Sequence, residues 1–147
     1  MNLGVVTLNL PRIGLESDGD ISKFWRIFRE RMQIIKEALS YRYERVKQAS
    51  PKNAPILYKS GAWTKKLSDN DKVDELFTDE NASLSIGYIG IYETVSCIYG
   101  KHWEENDEAK EFSVEILRRM KKYADKWTKE QNIYYSVYGT PKLSLGA

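Results

Sequence analysis

The densest apolar stretch of the chain runs from residue 83 to residue 100, and the other elements are predicted around it. Its first half is rich in β-branched and aromatic residues and almost free of charge, which is typical of a strand buried on both faces. In its second half, Glu93 and Thr94 are followed by the apolar residues Val95, Cys97 and Ile98 and then by Gly100, which predicts a short helix closed by a C-terminal glycine. Gly87 and Gly90 are expected where the backbone passes close to a neighbouring element or a ligand.

Two long helices are predicted from apolar residues that recur every three or four positions. The first begins after the N-cap Asp20 and runs to residue 46 or 48, because the Ser-Pro pair at 50–51 disfavours helix before the proline. The second follows a polar junction at residues 101–106. The apolar positions are Ile21, Phe24, Trp25, Phe28, Met32, Ile35 and Leu39 in the first helix and Phe112, Ile116, Met120, Tyr123 and Trp127 in the second.

Two further strands flank these helices in the sequence. Residues 4–10 form a β-type run that Pro11 ends, because proline cannot donate to a strand ladder. Residues 133–138 form the last strand. Between the first long helix and the central strand, residues 51–66 are predicted to be an ordered irregular connection, followed by a short helix that Ser68 caps.

The order of elements is strand, helices, strand, helices, strand. Strands joined by long helical crossovers pair in parallel, so the fold class is α/β with about three mainly parallel strands. A unit of three parallel strands leaves two open edges and exposed aromatic surface. The 147 residues are therefore expected to be a single segment of a larger sheet or barrel.

Composition narrows the possible partners and the compartment. The net charge is +2, with basic and acidic residues interleaved, so neither nucleic acid nor an anionic membrane is an expected partner. No apolar run approaches the ~20 residues that cross a bilayer. A single cysteine excludes an internal disulfide framework, and the amino terminus lacks a signal-peptide pattern. A cytoplasmic location is the expectation.

Few residues point to chemistry by themselves. The sequence has neither the Cys and His spacing of a zinc site nor a Gly-rich phosphate loop. Cys97 is predicted to be a buried small hydrophobe rather than a nucleophile. His102, at a helix junction, is predicted to be a cap or surface residue. Asn9 and Arg12 flank Pro11, and loop capping is a commoner role for such residues than ligand binding.

The last strand runs into a Gly-Thr-Pro turn that is a candidate phosphate-binding site. Thr140 would be the N-cap and Pro141 the first residue of a following helix, with free backbone N–H groups pointing beyond the strand. Helix starts of this kind bind phosphate. A turn that merely ends the strand fits the three residues equally well.

Four ordered stretches together resemble the anaerobic (class III) ribonucleoside-triphosphate reductases. They are Val-Val-Thr-Leu-Asn-Leu-Pro-Arg-Ile at 5–13, Asn-Ala-Pro with Leu-Tyr within 53–58, Ser-Ile-Gly-Tyr-Ile-Gly-Ile-Tyr-Glu at 85–93 and Tyr-Ser-Val-Tyr-Gly-Thr-Pro at 135–141. Their order and spacing also match, and the similarity covers almost the whole chain. The resemblance implies a partial α/β barrel of the glycyl-radical enzyme type.

The resemblance also implies a reaction, namely radical reduction of the ribose 2′-hydroxyl of a ribonucleoside triphosphate, with formate as the reductant in many members. The family uses a glycyl radical, installed by a radical S-adenosylmethionine activase, and often zinc. These groups and the radical cysteine are expected outside the residues present here, so no catalytic residue and no cofactor is assigned to this segment. The implied partners are the nucleotide, the activase and the remainder of the reductase chain, in a homo-oligomer.

By resemblance, Asn9 lies near the substrate ribose, and Gly139, Thr140, Pro141 and Ser144 lie near its phosphates. Family members continue after Gly-Thr-Pro with Ala-Glu-Ser-Leu, whereas this chain has Lys-Leu-Ser-Leu at 142–145. Two functions stay open at this point. The segment supplies barrel wall and part of the substrate pocket of a reductase and is inactive alone, or it is a free-standing non-catalytic module that binds nucleotide or a partner.

Overall fold

The computed structural model describes residues 1–48 and 82–139. The predicted connection at 51–66, the helix capped by Ser68 and the residues Thr140, Pro141 and Ser144 lie outside the described residues. In chain order the elements are β1 (Asn2–Asn9), α1 (Leu10–Glu16), α2 (Ile21–Lys47), β2 (Ser83–Ile89), α3 (Ile91–Tyr99), a 3-10 turn (Trp103–Glu105), α4 (Asp107–Gln131) and β3 (Tyr134–Gly139).

The three strands form one parallel sheet in the order β1-β2-β3. The predicted α/β class with parallel strands and long helical crossovers is confirmed. β2 is the central strand and is buried on both faces from Leu84 to Gly87, as its apolar composition predicts. Within the described residues, β1 and β3 each pair only with β2, so both outer edges of the sheet are open.

Helices cover one face of the sheet. α2 packs on β1, and α4 packs on β3. The face beneath them is apolar and includes Leu8, Leu84, Ile86 and Tyr135, all of them buried. The two long helices have the predicted apolar stripes, and Asp20 is the N-cap of α2, where its side chain accepts a hydrogen bond from the Lys23 backbone N–H. No helix among the described residues is long and apolar enough to span a membrane.

The opposite face of the sheet is more polar. Asn2 donates to the Ser85 hydroxyl, and the Ser85 and Ser136 oxygens lie 2.8 Å apart, so a hydrogen-bonded row crosses all three strands. Ser85 is only 3% exposed, and this row gives its buried hydroxyl partners. Val5 and Tyr138 on the same face are exposed.

Two features differ from the sequence-based expectation. Pro11 does not only end a strand: it lies in the first turn of α1, a helix that the sequence analysis did not predict. Proline is tolerated there because the first-turn N–H groups have no partner inside the helix. The prediction that Cys97 is buried is wrong, since the residue is exposed. Its Cβ lies close to α1, since a Cβ built on Gly14 would be 3.4 Å from it.

Candidate functional site

The ends of the three parallel strands meet at one edge of the sheet. Asn9 at the end of β1 lies opposite Ile89, and Gly139 at the end of β3 lies opposite Tyr88. Two strand spacings separate the outer strands, so Asn9 and Gly139 are about 10 Å apart across β2. Open α/β sheets bind ligands beyond the carboxyl ends of their strands. This edge is therefore the candidate site.

Asn9 connects β1 to α1. It is the N-cap of α1, and its Oδ1 accepts a hydrogen bond from the Arg12 backbone N–H at 3.2 Å. The capping role that the sequence analysis favoured is confirmed. The residue is also exposed, so its side-chain amide has N–H groups that a ligand at this edge can accept from. Arg12 pairs with Glu16 one turn along α1 at 3.0 Å.

Gly90 joins β2 to α3 with a left-handed backbone, φ 71°. A Cβ on Gly90 would lie 2.3 Å from Cγ of Pro11, so the close approach expected at this glycine is present. α3 has no side-chain cap at its N-terminus. The starts of α1 and α3 therefore lie side by side at the carboxyl edge of the sheet.

Gly139 ends β3 next to a tyrosine. A Cβ on Gly139 would lie 3.1 Å from the hydroxyl oxygen of Tyr88, so the glycine leaves the room that this phenol occupies. The strand end predicted before the Gly-Thr-Pro turn is thus present. The predicted phosphate contacts of Thr140, Pro141 and Ser144 stay predictions, because these residues lie outside the described part of the chain.

Two side chains at this edge were not singled out by the sequence analysis. Tyr88 is half-buried near the end of β2, and Glu93 lies in the first turn of α3. A Cβ built on Gly90 would lie 3.4 Å from Oε2 of Glu93, so this carboxylate folds back toward the strand end. The spacing Tyr-x-Gly-x-x-Glu across the end of a buried strand was the available signal, since a helix start after the strand favours an acidic residue in its first turn.

Other titratable residues lie away from the edge. His102 is exposed at the start of the 3-10 turn and makes no side-chain cap there, which agrees with the predicted surface role. Tyr92 donates to the Lys101 carbonyl at 2.8 Å, and the Glu104 carboxylate next to its hydroxyl raises the pKa of Tyr92. In residues 1–48 and 82–139 no group of three His, Cys, Asp or Glu side chains could hold a metal ion.

Comparison with known sequences gives one family. The family profile described as "Anaerobic ribonucleoside-triphosphate reductase" matches residues 1–147. The enzyme of that name from Escherichia coli (strain K12) is 39% identical over 145 residues, which are 98% of this chain and 20% of that protein. The enzyme from Enterobacteria phage T4 is 38% identical over 148 residues, covering 98% of this chain and 23% of that protein. The chain thus spans about a fifth of the length of these relatives.

Solved structures give the same picture. The anaerobic ribonucleotide reductase from Thermotoga maritima with citrate in the active site matches with a TM-score of 0.69 and 27% identity, over 96% of this chain and 25% of that one. The structure of that enzyme with dATP bound in the specificity site matches with a TM-score of 0.69 and 28% identity, over 90% of this chain and 21% of that one. The open three-stranded sheet therefore has the fold of one part of a larger enzyme.

Proposed function

Because this chain belongs to the anaerobic ribonucleoside-triphosphate reductase family, we propose that it is a segment of such an enzyme. The reaction is the reduction of the ribose 2′-hydroxyl of a ribonucleoside triphosphate by radical chemistry, with formate as the reductant. The segment supplies part of the barrel wall and part of the substrate pocket. The single observation that carries this proposal is the family match along all 147 residues.

The substrate binds at the carboxyl edge of the sheet. Asn9, exposed at the end of β1, donates to the ribose from its amide. The turn after β3 holds the phosphates with Gly139, Thr140, Pro141 and Ser144, since free N–H groups at a helix start attract anions. The distance of about 10 Å between the two outer strand ends suits a nucleotide that lies across β2 with its sugar and its phosphates at opposite ends.

The partners and cofactors of the reaction lie outside this segment. The glycyl radical supplies the one-electron chemistry, and the glycine that carries it, the zinc site and the radical cysteine belong to the remainder of the reductase chain. The activase that installs the radical is a separate partner protein. The complete enzyme is a cytoplasmic homo-oligomer. No observation favours the alternative of a free-standing non-catalytic module.

The proposal is tested with the complete protein that contains these residues. Activated anaerobically by its activase and supplied with formate and a ribonucleoside triphosphate, it is expected to form the 2′-deoxyribonucleoside triphosphate. The control omits the activase. Absence of product from protein whose glycyl radical is visible by electron paramagnetic resonance contradicts the proposal.

Residues 1–147 assayed alone under the same conditions are expected to give no product, because they carry neither the radical glycine nor the radical cysteine of the family. Deoxynucleotide above the background of the activase alone would contradict this expectation.

The phosphate contacts have their own test. In the complete enzyme, Thr140→Leu is expected to weaken nucleotide binding by about 1–3 kcal/mol, the usual loss for a charge-assisted hydrogen bond. Residues 1–147 alone are expected to bind triphosphate weakly, and the amide signals of 139–145 report where it binds. Tight binding, or shifts confined to other residues, would show that the phosphate site is placed wrongly.

A further inference from the structure

One contact at the carboxyl edge leaves no room for a side chain. A Cβ on Gly90 would lie 2.3 Å from Cγ and 2.8 Å from Cδ of Pro11. Real Cβ atoms essentially never approach so closely. The proline ring is closed onto its own backbone nitrogen and cannot rotate away like a flexible side chain. A side chain at Gly90 would therefore have to displace the first turn of α1.

The same two helices are in close contact further along. A Cβ on Gly14 of α1 would lie 3.2 Å from the Thr94 carbonyl oxygen of α3. Thr94 is buried, and its hydroxyl donates to the Gly90 carbonyl at 2.6 Å. α1 and α3 are thus held together from their starts to the second turn, so a shift at Gly90 is transmitted to α1 rather than absorbed between the helices.

Asn9 takes its orientation from the first turn of α1. Its Oδ1 accepts from the Arg12 backbone N–H, one residue beyond Pro11. We propose that Gly90 is a positioning residue, which through Pro11 fixes the first turn of α1 and with it the side-chain amide of Asn9 at the carboxyl edge. This inference rests on the proposed function only in assigning Asn9 to the substrate ribose.

The chain offers a matched control for the backbone conformation. Gly19 also has a left-handed backbone, with φ 79°, and a Cβ there would meet no atom within 4 Å. Gly19→Ala therefore introduces the same kind of backbone strain as Gly90→Ala without the clash. The difference between the two variants isolates the contact with Pro11.

The kinetic experiment uses the complete reductase, with turnover expressed per glycyl radical so that loss of folded enzyme does not count. Gly90→Ala is expected to lower kcat/KM for the nucleotide about a hundredfold, the effect of misplacing a substrate-contacting group by about 1 Å. Gly19→Ala is expected to leave it within about threefold of the unmodified enzyme. The double variant Pro11→Ala/Gly90→Ala removes the clashing ring and is expected to recover at least about tenfold over Gly90→Ala.

Equal turnover per radical in Gly90→Ala and Gly19→Ala overturns the inference. So does a double variant no better than Gly90→Ala, because the ring is then not the group through which Gly90 acts. A fall in radical content with normal turnover per radical would assign Gly90 a purely structural role and overturns it equally.

A second measurement separates this inference from the proposed function. Hydrogen exchange of the backbone amides of residues 10–16 is expected to be faster in Gly90→Ala than in Gly19→Ala, and to return toward normal in the double variant. Unchanged exchange in Gly90→Ala overturns the positioning of α1 whatever the enzyme does. If exchange responds as expected but the activated, unmodified protein makes no deoxynucleotide, the proposed function fails and the coupling of Gly90 to α1 is supported.

Discussion

Asn9 has a capping oxygen and, among the described residues, an amide nitrogen without a hydrogen-bond partner, and substitutions separate the two. Asn9→Asp keeps an acceptor for the Arg12 N–H, so the free energy of unfolding is expected to stay within about 0.5 kcal/mol of normal. The carboxylate cannot donate to a ribose and repels a triphosphate, so nucleotide reduction is expected to be lost. Asn9→Ala is also expected to abolish nucleotide reduction, and in addition to lower the free energy of unfolding by about 1 kcal/mol. Urea unfolding and the reductase assay measure the two effects.

The same substitution at a second N-cap is the control. Asn106 caps α4, where its Oδ1 accepts from the N–H groups of Glu108 at 2.9 Å and Ala109 at 3.2 Å. Asn106→Asp is expected to leave both stability and activity unchanged. If Asn9→Asp is equally silent in the reductase assay, Asn9 only caps α1 and its assignment to the ribose is wrong.

Tyr135 is expected to make the free energy of unfolding depend on pH in the alkaline range. Burial raises the pKa of this phenol from 10.0 to about 12. The folded protein keeps a proton that the unfolded chain releases, so the contribution is complete below pH 10 and is lost as pH rises to about 12. It amounts to at most roughly 2–3 kcal/mol. Denaturant unfolding at several pH values across this window gives the slope of the free energy of unfolding against pH.

The slope is assigned to Tyr135 with two phenylalanine variants. Tyr135→Phe is expected to flatten the pH dependence and to lower stability by about 1 kcal/mol at neutral pH, because the Gln131 Oε1 loses a donor that lies 2.6 Å away. Tyr134→Phe, at an exposed position of the same strand, is expected to keep the slope. A steep slope that survives Tyr135→Phe would show that another group causes it.

At the scale of elements, aromatic rings join the two long helices. Phe24 of α2 is fully buried, and its ring lies 5.0 Å from that of Phe112 of α4, edge to face. Trp25 also contacts Phe112 and carries the Arg119 guanidinium 3.7 Å over its ring, a cation–π contact that closes the cluster at the surface. The two long helices are therefore joined by contacts between their aromatic side chains.

Phe24→Ala is expected to lower the free energy of unfolding by about 3–5 kcal/mol, because the cavity removes both burial and ring contacts. Phe24→Leu fills part of the space and is expected to cost less. Val114→Ala, on the exposed side of α4, is the control and should change stability by no more than about 0.5 kcal/mol. A Phe24→Ala protein as stable as Val114→Ala would show that the cluster does not hold the helices together.

The elements that the sequence predicts well are those with a long, regular pattern. α2 and α4 were predicted from their 3.6-residue apolar repeat, and β2 from its uncharged apolar run. α1 was not predicted because Pro11 was interpreted only as the end of a strand, although Asn9 followed by a first-turn proline is a helix-start signal. Burial at α1 comes from contact with α3, which lies about 80 residues later, and a local pattern does not carry that information.

In the candidate site, too, some features follow from the local sequence and others depend on contacts between distant parts of the chain. The capping role of Asn9 follows from its place before a proline, whereas the contact between Gly90 and Pro11 depends on how two strand ends meet. Cys97 was predicted to be buried from its apolar neighbours in sequence, but it is exposed in the folded chain. Residues at one sheet edge come from distant parts of the chain, so their proximity follows from the pairing register and not from spacing.

For the whole molecule, the open sheet edges have a consequence for residues 1–147 in isolation. β1 and β3 each have one partner strand among the described residues, and unpaired edges recruit other strands. The face opposite the helices also exposes Val5 at 47% and Tyr138 at 39%. This chain covers about a fifth of the length of its relatives, and the rest of a relative's sequence is long enough to supply strands that pair with β1 and β3.

Residues 1–147 in isolation are therefore expected to self-associate or to be only partly ordered, and sedimentation velocity with hydrogen exchange distinguishes these from a well-ordered monomer. The double variant Val5→Lys/Tyr138→Lys places charges on both edge strands and is expected to shift the population toward monomer, because a charged edge resists pairing with another strand. The control, Ile34→Lys/Tyr41→Lys, alters exposed apolar positions of α2 and should leave association unchanged. If only the control variant becomes monomeric, the molecules associate through the surface of α2 and not through the sheet edges. A monomer with slow hydrogen exchange in all three strands would show that residues 1–147 complete their own core.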